Sequence, residues 1–122
     1  MSIIGIVSKK LIKTLNLDNT LEIIDRNIYI GDSNLKHMET SHPDDYKKYG
    51  GKIKNILSAP DYVGMNPKDN SIEYVKEFLM NGEYVKVAVR VSSGNKFYAR
   101  SMYVLNKNRV VNFIKKGTLK KY

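Results

Sequence analysis

Valine occupies every second position from 85 to 91 in the stretch "EYVKVAVRVS", residues 83–92. Successive side chains of a β-strand point to opposite faces of a sheet, so this alternation predicts a strand with one apolar face. That face carries Val85, Val87, Val89 and Val91, and the opposite face carries Tyr84, Lys86, Ala88, Arg90 and Ser92. The fold must therefore supply helices that cover a row of valines.

The residues on both sides of this strand predict its neighbours in a sheet. The following "SGN" is a turn signal, and "KFYARSMYVLN" returns as an antiparallel partner. Upstream, "SIEYVKEFL" predicts another strand, although its pattern also suits a helix, and "NG" favours a tight turn before Glu83. A bulge in the returning strand would exchange the faces of Arg100 and Ser101. The sequence therefore leaves open which of these two side chains lies beside Arg90.

The first half of the chain predicts short helices, with two short strands or a hairpin over "TLEIIDRNIYIG". Near the other end, "RVVNFIKKG" predicts a last strand or a short helix. Ser8 is a suitable N-cap for a helix that follows the short strand "SIIGIV", and Asp32 or Ser33 can cap a second helix over "DSNLKHMETS". Pro43 suits the first position of a third helix. Because the residue before a proline avoids helical backbone angles, His42 is expected between the second and third helices.

The order of these elements, mainly helices first and then a sheet, is typical of an α+β protein. We predict one domain spanning residues 1–122, with N-terminal helices packed on a C-terminal antiparallel β-sheet. The last residues, "TLKKY", are expected to fray. No apolar run approaches the roughly 18 residues of a membrane span, and the N-terminus lacks the pattern of a signal peptide. With no cysteine in the chain, the expected location is the cytoplasm, without contact to a membrane.

Positive charge is concentrated in the last third of the chain. Residues 84–122 contain ten Lys and Arg and no acidic residue, whereas residues 1–83 contain eleven Lys and Arg and twelve Asp and Glu. The net charge of the whole chain is +9. A basic region of this kind is typical of a protein that binds a polyanion such as nucleic acid, and a basic solvated surface is the simpler alternative.

Cations and aromatic rings are interleaved on the predicted hairpin. Lys86 and Arg90 share the polar face of one strand, and the partner strand adds Arg100, Ser101 and Tyr103. Such cations often belong to a solvated surface. Together with aromatic side chains they also suit single-stranded nucleic acid, because cations hold phosphates and rings stack on bases.

Both histidines lie close together, in the segment "LKHMETSHPDDY" at residues 35–46. A histidine near a helix end is often structural, but two of them can act as proton acceptor and proton donor near neutral pH. RNA supplies its own nucleophile, the ribose 2′-hydroxyl, so a base, a cation and an acid can cleave it without metal or cofactor. The chain has no phosphate-binding loop, dinucleotide motif or serine elbow for other chemistry. His37 and His42 are therefore candidates for acid–base catalysis.

The stretch "IYIGDSNLKHMETSHPDDYKKYGGKIKNILSAPDYV" resembles a block in small phage and mobile-element proteins with the barnase–EndoU–colicin–RelE (BECR) nuclease fold. The likeness lies in a strand followed by His37 and by His42-Pro43, and then in the later element "PDYV". The hairpin also fits, because a late strand in those proteins carries a Ser or Thr and a Tyr, which Ser101 and Tyr103 match. The resemblance covers roughly residues 26–106.

This resemblance implies metal-independent cleavage of RNA, often by a toxin or effector of a phage or mobile element, on the open face of a four- or five-stranded antiparallel sheet. His37 and His42 would move protons and Ser101 would contact the phosphate. Lys86, Arg90, Arg100 and Tyr103 are expected, from their chemistry, to bind the substrate.

The expected partners are RNA, which could be tRNA, and an antitoxin or immunity protein. No cofactor and no metal are expected, and the oligomeric state is left open. Two alternatives share the same basic sheet: a nucleic-acid-binding or regulatory module of a mobile element without catalysis, and a domain that meets an acidic protein.

Overall fold

The computed structural model describes residues 1–17, 25–92 and 94–122. In these ranges the chain forms seven strands and five α-helices, and a short 3-10 turn at Gly50–Lys52 precedes α4. The elements are β1 (Ser2–Ile6), α1 (Lys9–Thr14), β2 (Asn27–Ile30), α2 (Asp32–Ser41), α3 (Pro43–Tyr49), α4 (Ile53–Ser58), β3 (Tyr62–Met65), β4 (Ile72–Phe78), β5 (Glu83–Val91), β6 (Phe97–Leu105), α5 (Lys107–Lys115) and β7 (Leu119–Lys121). None of the helices described is long and apolar enough to cross a membrane.

The local signals placed most of these elements correctly. The Ser8 hydroxyl accepts a hydrogen bond from the Leu11 backbone N–H at 3.0 Å and so caps α1. Pro43 occupies the first turn of α3, and His42 lies between α2 and α3 with non-helical backbone angles. The second helix is capped differently from the prediction, because its N-cap is Gly31, whose N–H donates to the Asn34 side chain. The upstream part of "TLEIIDRNIYIG", predicted to form strand or hairpin, lies outside the described residues up to residue 24.

All seven strands form one sheet, in the order β1-β2-β6-β5-β4-β3-β7. The neighbouring pairs are antiparallel except β2 and β6, which are parallel. The α+β class is confirmed, but the prediction of a C-terminal, wholly antiparallel sheet was wrong. The two N-terminal strands, β1 and β2, lie at one edge of the sheet. A parallel pair needs a long crossover connection, and here the chain between β2 and β6 contains helices and three further strands.

The C-terminal tail is part of the sheet and does not fray. Strand β7 pairs with β3, and the backbone N–H of Tyr122 donates to the Asp61 carbonyl at 3.1 Å. The Tyr122 hydroxyl also lies 2.6 Å from the Ser8 hydroxyl. The tail therefore closes one edge of the sheet and joins it to the start of α1.

The valine face of β5 lies in the main core, as its alternation predicts. Val85, Val87 and Val89 are fully buried, whereas Val91, at the end of the strand, is 42% exposed. Apolar residues of α1 to α4 cover this face, among them Leu11, Met38, Ile53, Ile56 and Leu57. These helices thus contribute to the apolar core on the valine side of the sheet.

A helix from the C-terminal region covers part of the opposite face. The segment "RVVNFIKKG" was predicted as a last strand or a short helix and lies largely within α5. Val110 of α5 is buried in a second apolar cluster with Val75, Leu105 and Leu119, and Phe113 packs against it. The sheet therefore has helices on both faces. On this second face α5 contacts β5 and β7, whereas Arg90 of β5 is exposed and Tyr98, Ser101 and Tyr103 of β6 are partly exposed.

The corner between α2 and α3 is attached to the edge of β6. Strand β2 pairs with β6 only at Phe97 and Tyr98 within the described residues, so the backbone donors further along β6 need other partners. The Asp45 carboxylate accepts a hydrogen bond from the Val104 N–H at 3.0 Å. This bond fixes the start of α3, and therefore His42, beside β6.

Gly64 lies where the backbones of β3 and β7 leave no room for a side chain. A Cβ built on Gly64 would stand 2.2 Å from the Thr118 carbonyl oxygen, whereas one on Gly51 would meet nothing within 4 Å. We expect Gly64→Ala to lower the free energy of unfolding by about 3 kcal/mol, because the blocking atom belongs to the backbone. Gly51→Ala is the control and should change it by less than about 1 kcal/mol. Equal urea midpoints for the two variants would contradict this packing.

Tyr74 buries a hydroxyl group that has no hydrogen-bond partner among the described residues, and burial raises the pKa of this phenol well above its ordinary value. We expect Tyr74→Phe to raise the free energy of unfolding by about 1 kcal/mol, because an unpaired buried polar group is costly. Tyr49→Phe is the matched comparison, with the opposite expected effect. The Tyr49 hydroxyl donates to Glu83 at 2.8 Å, so its removal should lower the free energy of unfolding by about 1 to 3 kcal/mol. Urea denaturation of both variants tests whether their free energies of unfolding change in opposite directions.

Candidate functional site

The accessible part of the second sheet face is built from β5 and β6. Lys86 pairs with Tyr103, Ala88 with Ser101, and Arg90 with Tyr98. Partners in a ladder share a face, so Ser101, and not Arg100, is in register with the polar side chains of β5. The register shifts once between Ala88 and Val89.

Arg100 is the extra residue at this shift, since its neighbours Ala99 and Ser101 both pair with β5 and it does not. A bulge residue can turn toward the same face as the residue after it. Arg100 is exposed and lines the same surface hollow as Arg90. The question left open by the sequence is therefore answered by the bulge, which gives Arg90 both Ser101 and Arg100 as neighbours.

His42, Tyr103, Lys86 and Glu73 form a continuous row across this face. The His42 ring stacks on the Tyr103 ring with centroids 4.8 Å apart and planes inclined by 27°. The Lys86 ammonium lies 4.6 Å from the centroid of the Tyr103 ring, and its Nζ donates to Glu73 Oε2 at 2.6 Å. One exposed imidazole is thus coupled through an aromatic ring to a buried ion pair.

The ion pair between Lys86 and Glu73 lies at the bottom of a cleft. The two residues are 9% and 7% exposed. Burial acts to lower the pKa of the Lys86 ammonium, but hydrogen bonds to Glu73 and Tyr103 outweigh it and raise this pKa above its ordinary value. Lys86 is therefore charged and held in place. It is not the freely solvated cation that a sheet-surface lysine usually is.

The cleft lies between the sheet and α5 and has a volume of about 260 Å³. Glu73, Lys86 and Tyr103 line one wall, Arg109 of α5 lines another, and Lys68 stands at the loop before β4. Its lining thus contains three cations and one carboxylate, a composition that favours an anionic ligand.

A second, smaller hollow of about 70 Å³ lies further along β5 and β6. It is lined by Arg90, Arg100, Tyr98 and Asn34, with Val91 and Ser92 at the end of β5. Neither arginine forms an ion pair within the ranges that the structure describes. The two guanidinium groups therefore remain available to a ligand.

His37 lies on an exposed position of α2, three residues after Asn34. Residues three apart lie on the same side of a helix, so His37 is on the flank of α2 that borders the hollow. In the part of the chain described, its imidazole makes no hydrogen bond or ring contact. The structure thus brings His42, Tyr103 and Lys86 into contact and places Arg90 and Arg100 together at the hollow. Ser101 lies on the same face between these two groups, and His37 lies at its border.

Glu73 is a site residue that the sequence reasoning missed. A two-residue turn at Asn81-Gly82 would pair Glu77 with Lys86, and Glu73 would then lie further from it. The actual loop has four residues and pairs Phe78 with Glu83, which shifts the register by two. Glu73 and Glu77 both lie on the polar face in either register, so the alternation in β4 was a usable signal. In the actual register both are diagonal neighbours of Lys86, which pairs with Val75 in the ladder, and the ion pair forms with Glu73.

Metal ligands are not grouped in the described ranges: no three or more His, Asp or Glu side chains lie together there in a way that could hold an ion. Asp69, near the cleft, uses its carboxylate locally. Hydrogen bonds from the Ser71 hydroxyl and N–H lower the pKa of Asp69 below its ordinary value, with a smaller contribution from Arg90 and Lys86. This carboxylate therefore stays ionised and shapes the loop before β4.

The buried ion pair gives a test of this geometry. Lys86→Met or Glu73→Gln should each lower the free energy of unfolding by about 3 kcal/mol, because each leaves one buried group without its partner. The double variant should lose less than the sum of the two. Lys48→Met is the control: Lys48 pairs with Glu83 at a more exposed position, so its loss should shift the urea midpoint much less than either change in the buried pair. Additive losses in urea denaturation would show that Lys86 and Glu73 do not interact.

Comparison with known proteins identifies the family to which the chain belongs. Residues 2–112 match the model of a family described as phage-Barnase-EndoU-ColicinE5/D-RelE like nuclease3 (PBECR3). No curated protein and no solved structure matches the chain. The match spans all the elements from β1 through most of α5, including every residue of the cleft wall formed by β4, β5 and β6. On this match, the chain belongs to the phage BECR-like nuclease family.

Proposed function

We propose that this protein is an endoribonuclease that cleaves RNA by attack of the ribose 2′-hydroxyl, with histidine acid–base catalysis and without a metal ion. The observation that carries the proposal is the stacking of His42 on Tyr103, beside the Lys86–Glu73 pair and on the face that holds Arg90 and Arg100. An imidazole, which can both accept and donate a proton, thereby lies next to a cation-lined surface.

The reaction needs two proton transfers and charge stabilisation. A base removes the proton of the 2′-hydroxyl, the 2′-oxygen bonds to phosphorus, and the bond from phosphorus to the 5′-oxygen breaks. An acid gives the leaving 5′-oxygen its proton. The products are a 2′,3′-cyclic phosphate and a 5′-hydroxyl. Acid–base catalysis of this kind contributes about 10²- to 10⁴-fold to a rate.

His42 is proposed for one proton transfer and His37 for the other. His42 is oriented by the ring of Tyr103, and the Asp45–Val104 bond fixes the corner that carries it. His37 lies on the flank of α2 that borders the hollow and can approach the substrate from that side. Ser101 lies in the ladder between Tyr103 and Tyr98, where its hydroxyl can donate to a non-bridging phosphate oxygen.

Glu73 offers a second way to accept the 2′-hydroxyl proton, because its carboxylate also lines the cleft. The Lys86 ammonium already occupies Oε2 of this carboxylate with a hydrogen bond of 2.6 Å. We therefore assign Glu73 to holding Lys86 in place, so that the lysine charge stands beside the developing negative charge of the phosphorane.

RNA is the proposed substrate because this face combines cations with aromatic rings, and the mechanism requires a 2′-hydroxyl. A role as a toxin or effector of a phage or mobile element, tRNA as target, and an antitoxin or immunity protein as partner remain proposals that follow from the family alone.

Cleavage of labelled tRNA and total RNA in EDTA tests the assignment. We expect the wild type to cleave, and His42→Ala to lower kcat/KM by about 10²- to 10⁴-fold, because one proton transfer is then left to water. His37→Ala should give a loss of similar size, and the double variant should lose little more than the worse single variant. Thr40→Ala, an exposed change on α2 between the two histidines, is the control and should retain full activity.

Undiminished cleavage by the double variant would contradict histidine catalysis. If neither the wild type nor the variants cleave while RNA is bound in a salt-sensitive way, the alternative of a non-catalytic nucleic-acid-binding protein is favoured. Loss of activity in Thr40→Ala would indicate that substitutions on α2 act through its stability.

A further inference from the structure

Arg90 and Arg100 are held next to each other without an acidic partner. The bulge at Arg100 brings it to the hollow that Arg90 also lines. Within the described residues the two ion pairs are Lys48 with Glu83 and Lys86 with Glu73, so neither arginine forms an ion pair. The nearest acidic group with a resolved influence is Asp69, whose carboxylate is held by Ser71 and whose pKa Arg90 lowers only slightly. Two adjacent like charges repel each other. An anion in the hollow would remove this repulsion and accept hydrogen bonds from both guanidinium groups.

The hollow is separate from the cleft that holds the buried ion pair. Lys86 and Arg90 are four residues apart on β5, which is about 13 Å along a strand. The hollow is lined by Asn34 and Tyr98, the cleft by Glu73 and Tyr103. One phosphate group cannot occupy both places, so a ligand that uses both must be an extended chain with several phosphates.

Aromatic side chains adjoin the hollow and extend it toward β2. Tyr98 lies 6.0 Å from Tyr29 between ring centroids, with planes inclined by 42°. The Tyr29 hydroxyl donates to Asp25 at 2.6 Å, which fixes that ring, and the Lys96 ammonium lies 5.4 Å from its centroid. Partly exposed rings beside unpaired cations are the combination that binds single-stranded nucleic acid, because bases stack on rings while cations hold the backbone.

We propose that Arg90 and Arg100 bind a second backbone phosphate of single-stranded RNA, at least one nucleotide away from the phosphate that is cleaved, with a neighbouring base stacked on Tyr98. The identity of the strand rests on the proposed function. The geometry adds a requirement for length: a dinucleotide reaches only one of the two places, and a strand of four or five nucleotides reaches both.

Binding of 2′-O-methyl oligonucleotides of two to five residues tests this without any cleavage, because they lack the 2′-hydroxyl nucleophile. We expect the affinity of the wild type to rise by about tenfold or more between two and five residues. Arg90→Gln with Arg100→Gln should abolish this rise with length, and an unchanged midpoint of urea denaturation shows that the variant is folded. Lys54→Gln, which removes an exposed charge on α4, is the control and should keep the rise.

The salt dependence gives a second readout. A plot of log affinity against log salt concentration has a negative slope. If the two arginines share one phosphate, this slope should become shallower by about 0.7 in the double variant, the value for one phosphate of a single strand. A rise with length that survives in the double variant, or that Lys54→Gln removes equally, would overturn the proposal. Because binding is measured, a protein that never cleaves RNA would refute the proposed function and leave this inference standing.

Discussion

The buried hydrogen bond between Lys86 and Glu73 is the interaction on which the site depends. It places a charged lysine at the bottom of a cleft where a lone cation would be strongly disfavoured. The Tyr103 ring lies against this lysine on one side and against His42 on the other. The positions of the exposed histidine and of the buried charges are therefore not independent, and the ion pair fixes the geometry of the whole row.

The fold supports this row by covering the two faces of the sheet unequally. Helices α1 to α4 cover Val85, Val87 and Val89 on the valine face of β5, and α5 covers only part of the other face. The short pairing of β2 with β6 leaves backbone groups of β6 to be satisfied by Asp45. Because of that contact, the α2–α3 corner lies beside the accessible face, where its histidine can act.

Several features of the site could be predicted from the sequence because they depend on local rules. Alternation in residues 83–92 predicts which side chains of β5 share a face, and Pro43 excludes His42 from α2. The bulge at Arg100, the four-residue loop before Glu83 and the parallel pairing of β2 could not be predicted. Each of these depends on which distant strands pair and in what register, and single side chains carry little information about that. Glu73 was missed for this reason.

The central claim is attack by a 2′-hydroxyl, and the most direct measurement is the cleavage of a single-stranded DNA oligonucleotide that contains one ribose. The account predicts a single cut, directly after the ribose, that leaves a 2′,3′-cyclic phosphate and a 5′-hydroxyl in the presence of EDTA. The same oligonucleotide with 2′-deoxyribose at that position should remain intact. Equal cleavage of both oligonucleotides, or products without a cyclic phosphate or its hydrolysed form, would contradict it.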